Sequence, residues 1–181
     1  MKYMFASDVH GSAYYCRLML EKYKEEQAER LVLLGDLLYH GPRNDLPKEY
    51  APKEVIPMLN AMKNEIYAVR GNCEAEVDQM VLQFPVMADY CILNLEGRTF
   101  YATHGHVYNE NNLPPLQEGD ILIHGHTHVL RAELRKGYTL LNPGSVSIPK
   151  EGNPPTYAVL EDKVFTIKDF DGNIIKEMRL A

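Results

Sequence analysis

Apolar and polar positions are organised differently in the two halves of the chain. In the first half, compact apolar runs alternate with amphipathic stretches. Lys2 to Ser7 predicts a first strand. Ser12 to about Gln27 sets apolar positions such as Leu18 and Leu20 among charged ones and predicts an amphipathic helix. Arg30 to Leu34, with its run LVLL, and Glu65 to Val69 predict two more strands. Between them lies Gly35 to Pro52, a long loop with three prolines, and then Glu54 to Met62, a helical stretch that Pro57 weakens. Glu74 to Leu82 predicts a short helix. Strand–helix alternation of this kind predicts an α/β layer structure with parallel strands.

The second half has short apolar runs only. Cys91 to Leu95, Thr99 to Thr103, Ile121 to Ile123, Tyr138 to Leu141, Tyr157 to Leu160 and Val164 to Ile167 each predict a strand. Turns such as Glu96-Gly97 and Asp171-Gly172-Asn173 join them. The expected architecture is two sheets packed face to face with helices outside.

Composition narrows the picture in three ways. At 181 residues and 45% hydrophobic content, with no linker, repeat or low-complexity run, residues 1–181 are expected to form a single domain. The net charge of −6 disfavours a protein that lives on a nucleic-acid backbone, although bound cations would reverse the field locally. No apolar run approaches a membrane span, and the apolar run at the N-terminus is too short for a secretory signal. Cys16, Cys73 and Cys91 are odd in number and widely spaced, which argues against disulfides and points to the cytoplasm. Apolar surface in the second half is compatible with a homodimer or homotetramer.

The candidate chemistry sits where the strands end. The first strand runs into Asp8-Val9-His10-Gly11, the second into Gly35-Asp36, and the third into Arg70-Gly71-Asn72-Cys73-Glu74. Later strands run into Thr103-His104-Gly105-His106 and His124-Gly125-His126-Thr127-His128. Ligands of α/β sheets bind outside the carboxyl ends of strands. Asp or Asn after a strand is commonly a turn or cap residue, and a lone H-x-H is commonly solvated. Five strand ends that supply Asp, His, Asn and His together point to a metal site. In extended chain, His126 and His128 would point the same way, roughly 6.5 Å apart, and so face one pocket without sharing one ion.

The order D-x-H, G-D, G-N-x-[E/D], H, G-H-x-H resembles the calcineurin-like metallophosphoesterase family over Met1 to about Leu160. The stretches Gly35 to Asn44 and Asn142-Pro143-Gly144-Ser145 resemble its small bacterial phosphodiesterases. The resemblance implies a four-layer α/β/β/α sandwich of two packed mixed sheets and a site for two divalent ions. It implies Asp8, His10 and His128 on one ion, Asn72, His104 and His126 on the other, and Asp36 bridging both. It counts Asp36, Asn72 and His104 as catalytic, and leaves His124 as a strand residue. Mn²⁺ is the implied metal; the oxygen and imidazole donors also suit Zn, Fe, Ni or Co. A hydroxide between the ions would attack the phosphorus of a small phosphodiester in line.

Charge supports a diester. Two divalent ions carry four positive charges; Asp8, Asp36 and a hydroxide leave one, which a diester monoanion balances better than a monoester dianion. The sequence departs from much of the family at Cys73, where many members carry a proton-donating histidine. Arg43, Asn44, Cys73 and His106, with His40, are candidates to contact substrate or support the ligands. Three alternatives remain at this level: a phosphomonoesterase, a nuclease or protein phosphatase, and a non-catalytic scaffold of the same fold, for which a retromer subunit is the model. The full set of seven expected ligands favours an enzyme.

Overall fold

The computed structural model describes residues 1–180. In chain order the elements are β1 (Tyr3–Ala6), α1 (Ala13–Glu25), β2 (Arg30–Leu33), α2 (Pro52–Asn60), β3 (Ile66–Ala68), α3 (Glu76–Val81), β4 (Tyr90–Leu95) and β5 (Arg98–Thr103). Then follow β6 (Asp120–Ile123), β7 (Arg131–Leu134), β8 (Tyr138–Asn142), β9 (Thr156–Glu161), β10 (Val164–Asp169) and β11 (Ile174–Arg179). They form two mixed sheets, ordered β11-β10-β9-β1-β2-β3 and β4-β5-β6-β8-β7. Strands β1, β2 and β3 run parallel in the first sheet, as do β5, β6 and β8 in the second.

Strand β1 is apolar at consecutive positions because both of its faces are covered. Met4 and Ala6 turn toward the helices, where α1 buries Ala13, Cys16, Met19 and Tyr23 on one face. Phe5 turns toward the other sheet, and its ring stacks on Phe100 with centroids 6.2 Å apart. The inter-sheet core thus fixes the carboxyl ends of β1 and β2 against those of β5 and β6. Ser12 starts α1 by accepting the Tyr15 N–H at 3.2 Å.

The two packed mixed sheets are those expected, and the structure redraws several details. Strands β7 and β11 are additional to the expected strands. Both are edge strands rich in charged residues that give no clear apolar run, and their apolar Leu134 and Ile174 are exposed. The helix expected over Glu74 to Leu82 occupies only Glu76–Val81, because the Glu74 side chain is drawn inward. Helices cover the first sheet; no α-helix follows β4 among the described residues. Over the second sheet runs the irregular 104–119 connection, tied down where Tyr101 Oη donates to the Pro115 carbonyl at 3.1 Å. Its adjacent Pro114 and Pro115 disfavour a helix there. No described helix is long and apolar enough to cross a membrane.

Candidate metal centre

The loops after the parallel strands are zipped together beyond the strand ends. Asp8 N–H donates to the Gly35 carbonyl at 3.1 Å, and His10 N–H to that of Asp36 at 2.8 Å. In the other sheet, Gly125 N–H donates to the His104 carbonyl at 2.9 Å. Two bonds then cross between the sheets: His126 N–H to Asp8 Oδ2 at 3.1 Å, and His104 Nδ1–H to the Leu34 carbonyl at 2.6 Å. All seven predicted ligands are brought to one place by this framework.

Three groups stand close enough to hold an ion: Asp8, His10 and His128 form the first, Asp36, His104 and His126 the second, and His10, Asp36 and Cys73 a third that overlaps both. In the first, His10 Nε2 and His128 Nε2 are 3.3 Å apart, and each approaches Asp8 Oδ1, at 3.6 and 3.2 Å. In the second, His104 Nε2 lies 3.3 Å from Asp36 Oδ2, 3.1 Å from Asn72 Oδ1 and 3.2 Å from His126 Nδ1. Asp36 Oδ2 also lies 3.6 Å from His10 Nε2. One carboxylate oxygen therefore stands between the two groups.

The hydrogen-bond chemistry fits cations. A carbonyl oxygen only accepts, so the ring nitrogen facing it carries the hydrogen. His10 Nδ1 faces the Tyr39 carbonyl at 2.8 Å and His128 Nδ1 that of Ile148 at 2.6 Å. In the neutral rings both Nε2 atoms then present lone pairs to each other and to Asp8 Oδ1. That oxygen is buried and has no hydrogen-bond partner. Three electron-pair donors without a proton among them suit a metal ion. Donors held about 2.1 Å from one ion lie about 3.0–3.4 Å apart, close to the separations found.

The backbone is specialised for this convergence. Asp8, His10, Asp36, His126 and His128 all have positive φ, between 49° and 64°. Non-glycine residues rarely adopt that region, and Asp and His are among those that tolerate it better. The extended conformation expected for His126 to His128 is therefore replaced by left-handed residues, and the two rings go to different donor groups. A Cβ at Gly71 would strike Asp36 Oδ1, and one at Gly125 would strike Ser7 Oγ. These glycines allow the loops to close onto the carboxylates.

Charges respond to the crowding. Burial disfavours a charge on His104, but Asp36 and Asp8 overcome it and lift its pKa to about 9. Burial and the neighbouring His104 push His126 down to about 4. Burial also opposes ionisation of Asp8 and Asp36, yet the surrounding histidines hold both below the usual carboxylate range.

Several residues support these loops; Glu74 and the Asn142 to Ser145 stretch stood in motifs without an assigned role, and Ser147 gave no sign in the sequence. Glu74 is buried and accepts N–H groups from Asp36, Leu37 and Gly71, the first two at 2.8 and 2.6 Å. Burial and the Asp36 charge raise its pKa to about 7. Ser145 and Ser147 hydroxyls both donate to the Asp8 carbonyl at 3.0 Å. Asn142 Nδ2 donates to the Gly125 carbonyl at 2.9 Å. The Asn142 to Ser145 stretch thus clamps two ligand loops together. His124 is buried, with Nε2 3.1 Å from Glu110 Oε2, and is not a ligand.

A cavity of about 380 Å³ opens over both donor groups. Arg43, Asn44 and Cys73 line it as expected, and so do Thr127 and Lys150, which the sequence did not single out. His106 does not line it but packs beside the His104 ring, with centroids 5.4 Å apart. His40 is turned away from it, against Tyr39 and Tyr50.

Known proteins resemble this chain in sequence and fold. Residues 1–163 match the model of the calcineurin-like phosphoesterase superfamily domain. The phosphodiesterase YfcE of Escherichia coli (strain K12) is 48% identical over 167 residues, covering 92% of this chain and 91% of its own. The solved structure of E. coli YfcE, described as a phosphoesterase, superimposes with a TM-score of 0.98 over 100% of both chains. A single mutant of Vps29 from Entamoeba histolytica matches over 100% of both chains at a TM-score of 0.68 and 23% identity, a likeness of fold alone. With its domain model matched over residues 1–163, the chain belongs to the calcineurin-like phosphoesterase superfamily.

Proposed function

We propose that this protein is a dinuclear-metal phosphodiesterase that hydrolyses a small phosphodiester, with Mn²⁺ as its working ion. The observation that carries this reading is Asp36 Oδ2, 3.6 Å from a nitrogen of one donor group and 3.3 Å from a nitrogen of the other, at the floor of the cavity. Its likeness to the phosphodiesterase YfcE supports the same reaction. When bound, two divalent ions supply an acidified water as nucleophile and a positive field for the phosphoryl oxygens.

The chain's own groups orient that chemistry. Backbone carbonyls of Tyr39, Ile148 and Leu34 fix the rings of His10, His128 and His104, so each presents Nε2. Asp36 Oδ1 accepts the Cys73 N–H at 2.9 Å, which leaves Oδ2 for the centre. With Asp8 and Asp36 as its only ligand carboxylates, the loaded site keeps the net positive charge that suits a diester monoanion.

Proton donation is the weak point. The Cys73 thiol lines the cavity, but burial and the Asp36 charge push its pKa upward. A thiol held that firmly protonated is a poor general acid. Acidic leaving groups are therefore favoured over alkoxides. The test is turnover of bis(p-nitrophenyl) phosphate by metal-stripped protein before and after Mn²⁺ is restored. Loss followed by recovery supports the proposal; full turnover by protein verified metal-free contradicts it.

A further inference from the structure

The cavity above the donor groups has a mouth built from two distant loops. Arg43 comes from the loop after β2 and Lys150 from the turn after β8, and both side chains are exposed. Each is anchored through its backbone or its neighbour. Lys150 N–H donates to the carbonyl of the ligand His128 at 3.0 Å, and its own carbonyl accepts Asn153 Nδ2 at 2.8 Å. Next to Arg43, Asn44 Nδ2 closes the loop on the His40 carbonyl at 2.9 Å. The two cations are thus held at the rim by ordered chain.

Neither cation is neutralised. Arg17, Arg70 and Lys168 all pair with carboxylates, whereas Arg43 and Lys150 have no ion-pair partner among the described residues. Asp45 and Glu151 are close in sequence but do not line the cavity; among the described residues the only carboxylate that does is Asp36, at its floor. On a chain of net charge −6, this is a locally positive rim. The walls carry a second message. Apart from the ligand rings of His126 and His128, no aromatic side chain lines the cavity, and the remaining walls are small or polar, such as Gly41, Pro42, Asn44 and Thr127. No Phe, Tyr or Trp there offers a stacking platform for a nucleobase, and no apolar slot receives an acyl chain.

Resting on the phosphodiesterase reading above, we propose that Arg43 and Lys150 form a subsite for a second anion. The substrate is then a small, polar, non-aromatic phosphodiester, one of whose ester arms carries a carboxylate or phosphate. The centre holds the scissile diester while the rim cations receive the distal anion. Because both are exposed, each contact contributes up to about fivefold, and the pair about tenfold.

Three p-nitrophenyl diesters test this, alike in leaving group and differing in the retained arm: 2-carboxyethyl, n-propyl and 2-(trimethylammonio)ethyl. For the Mn²⁺-loaded native protein, kcat/KM is expected to be about tenfold higher for the carboxylate arm than for the propyl arm, and lowest for the cationic arm. The ratio should shrink in 0.5 M salt, as exposed charge contacts do. It should approach one in the Arg43→Ala/Lys150→Ala double variant and survive in Lys150→Arg. In Lys150→Glu the cationic arm should gain on the carboxylate arm. Equal kcat/KM for the three arms in the native protein overturns the subsite while leaving the phosphodiesterase reading intact. So does a ratio that the double variant does not move. Absence of turnover on all three, with two ions shown to be bound, overturns both.

Discussion

The two donor groups are built from the same residue types but sit in different surroundings. Asp8, His10 and His128 are all buried, and each is tied to backbone carbonyls or N–H groups. In the other group only His104 and the shared Asp36 are buried; His126 is half-buried and Asn72 is exposed. The first group is thus the more enclosed and borders the cavity through His128 alone, whereas the second borders it through Asp36, Asn72 and His126. An ion in the first is expected to be held firmly, and one in the second to exchange more readily and meet the substrate. Asp36 links the two behaviours.

The sharpest way to break this comparison is to remove the link. Asp36→Ala should lose activity by about 10²–10³-fold or more and retain neither ion tightly. Asp8→Ala should lose less and keep the exposed ion. Metal counting on both purified variants, beside their kcat/KM, checks the order. Two tightly held ions in Asp36→Ala would remove the bridging assignment.

Next in size is the difference between the groups themselves. Asn72→Ala should weaken one ion by about 10–100-fold while the other stays in place, and His10→Ala should do the reverse. Calorimetric Mn²⁺ titrations would show one tight phase surviving in Asn72→Ala. Uniform weakening of both phases in both variants would mean that the groups act as one undivided site.

Glu74 supports both groups without touching an ion. Glu74→Gln turns an all-acceptor carboxylate into an amide that must face N–H donors, and should destabilise the fold by about 2 kcal/mol. Thermal unfolding of metal-stripped protein measures this, with a lower Tm as the expected result.

Two smaller effects sharpen the picture of the open group. Cys73→His should flatten the dependence of rate on leaving-group pKa, raising alkyl diester hydrolysis by at least about tenfold if the imidazole reaches the leaving oxygen. Cys73→Ser should change little. The pH dependence of loading follows from His104. Its folded pKa, near 9, stands above the ordinary 6.5, so its charged form stabilises the metal-stripped protein below about pH 6.5. That contribution fades as pH rises through about 9. Ions require the neutral ring, so loading at pH 7 should release about one proton from His104, and apparent affinity should rise with pH until about 9. An indicator-dye titration reads the proton directly.

The candidate ligands were legible because each follows an apolar run at a strand's carboxyl end, and five such ends carry Asp, Asn or His together. The two sheets were legible for the same reason, through interior strands such as β1, β6 and β9. Edge strands β7 and β11 were not, because they bury one weak stripe. Left-handed backbone at Asp8, His10, Asp36, His126 and His128 was also hidden; only the neighbouring glycines hinted at it. Glu74 stood in the G-N-x-[E/D] motif but was also expected to begin a helix, since nothing local reveals that two backbone N–H groups from the loop after β2 join that of Gly71 on its carboxylate. Lys150 gave no signal at all. Its position depends on a hydrogen bond to His128, a pairing between the loops after β8 and β6 whose partners lie 22 residues apart in the chain.

The most direct measurement is anomalous diffraction from crystals of the native protein grown with Mn²⁺. Two Mn peaks about 3.5–4 Å apart are expected, with the Asp36 carboxylate between them, one ion on Asp8, His10 and His128, the other on Asn72, His104 and His126. A single peak, or two peaks with Asp36 bound to only one, would contradict the bridged centre on which the proposed function stands.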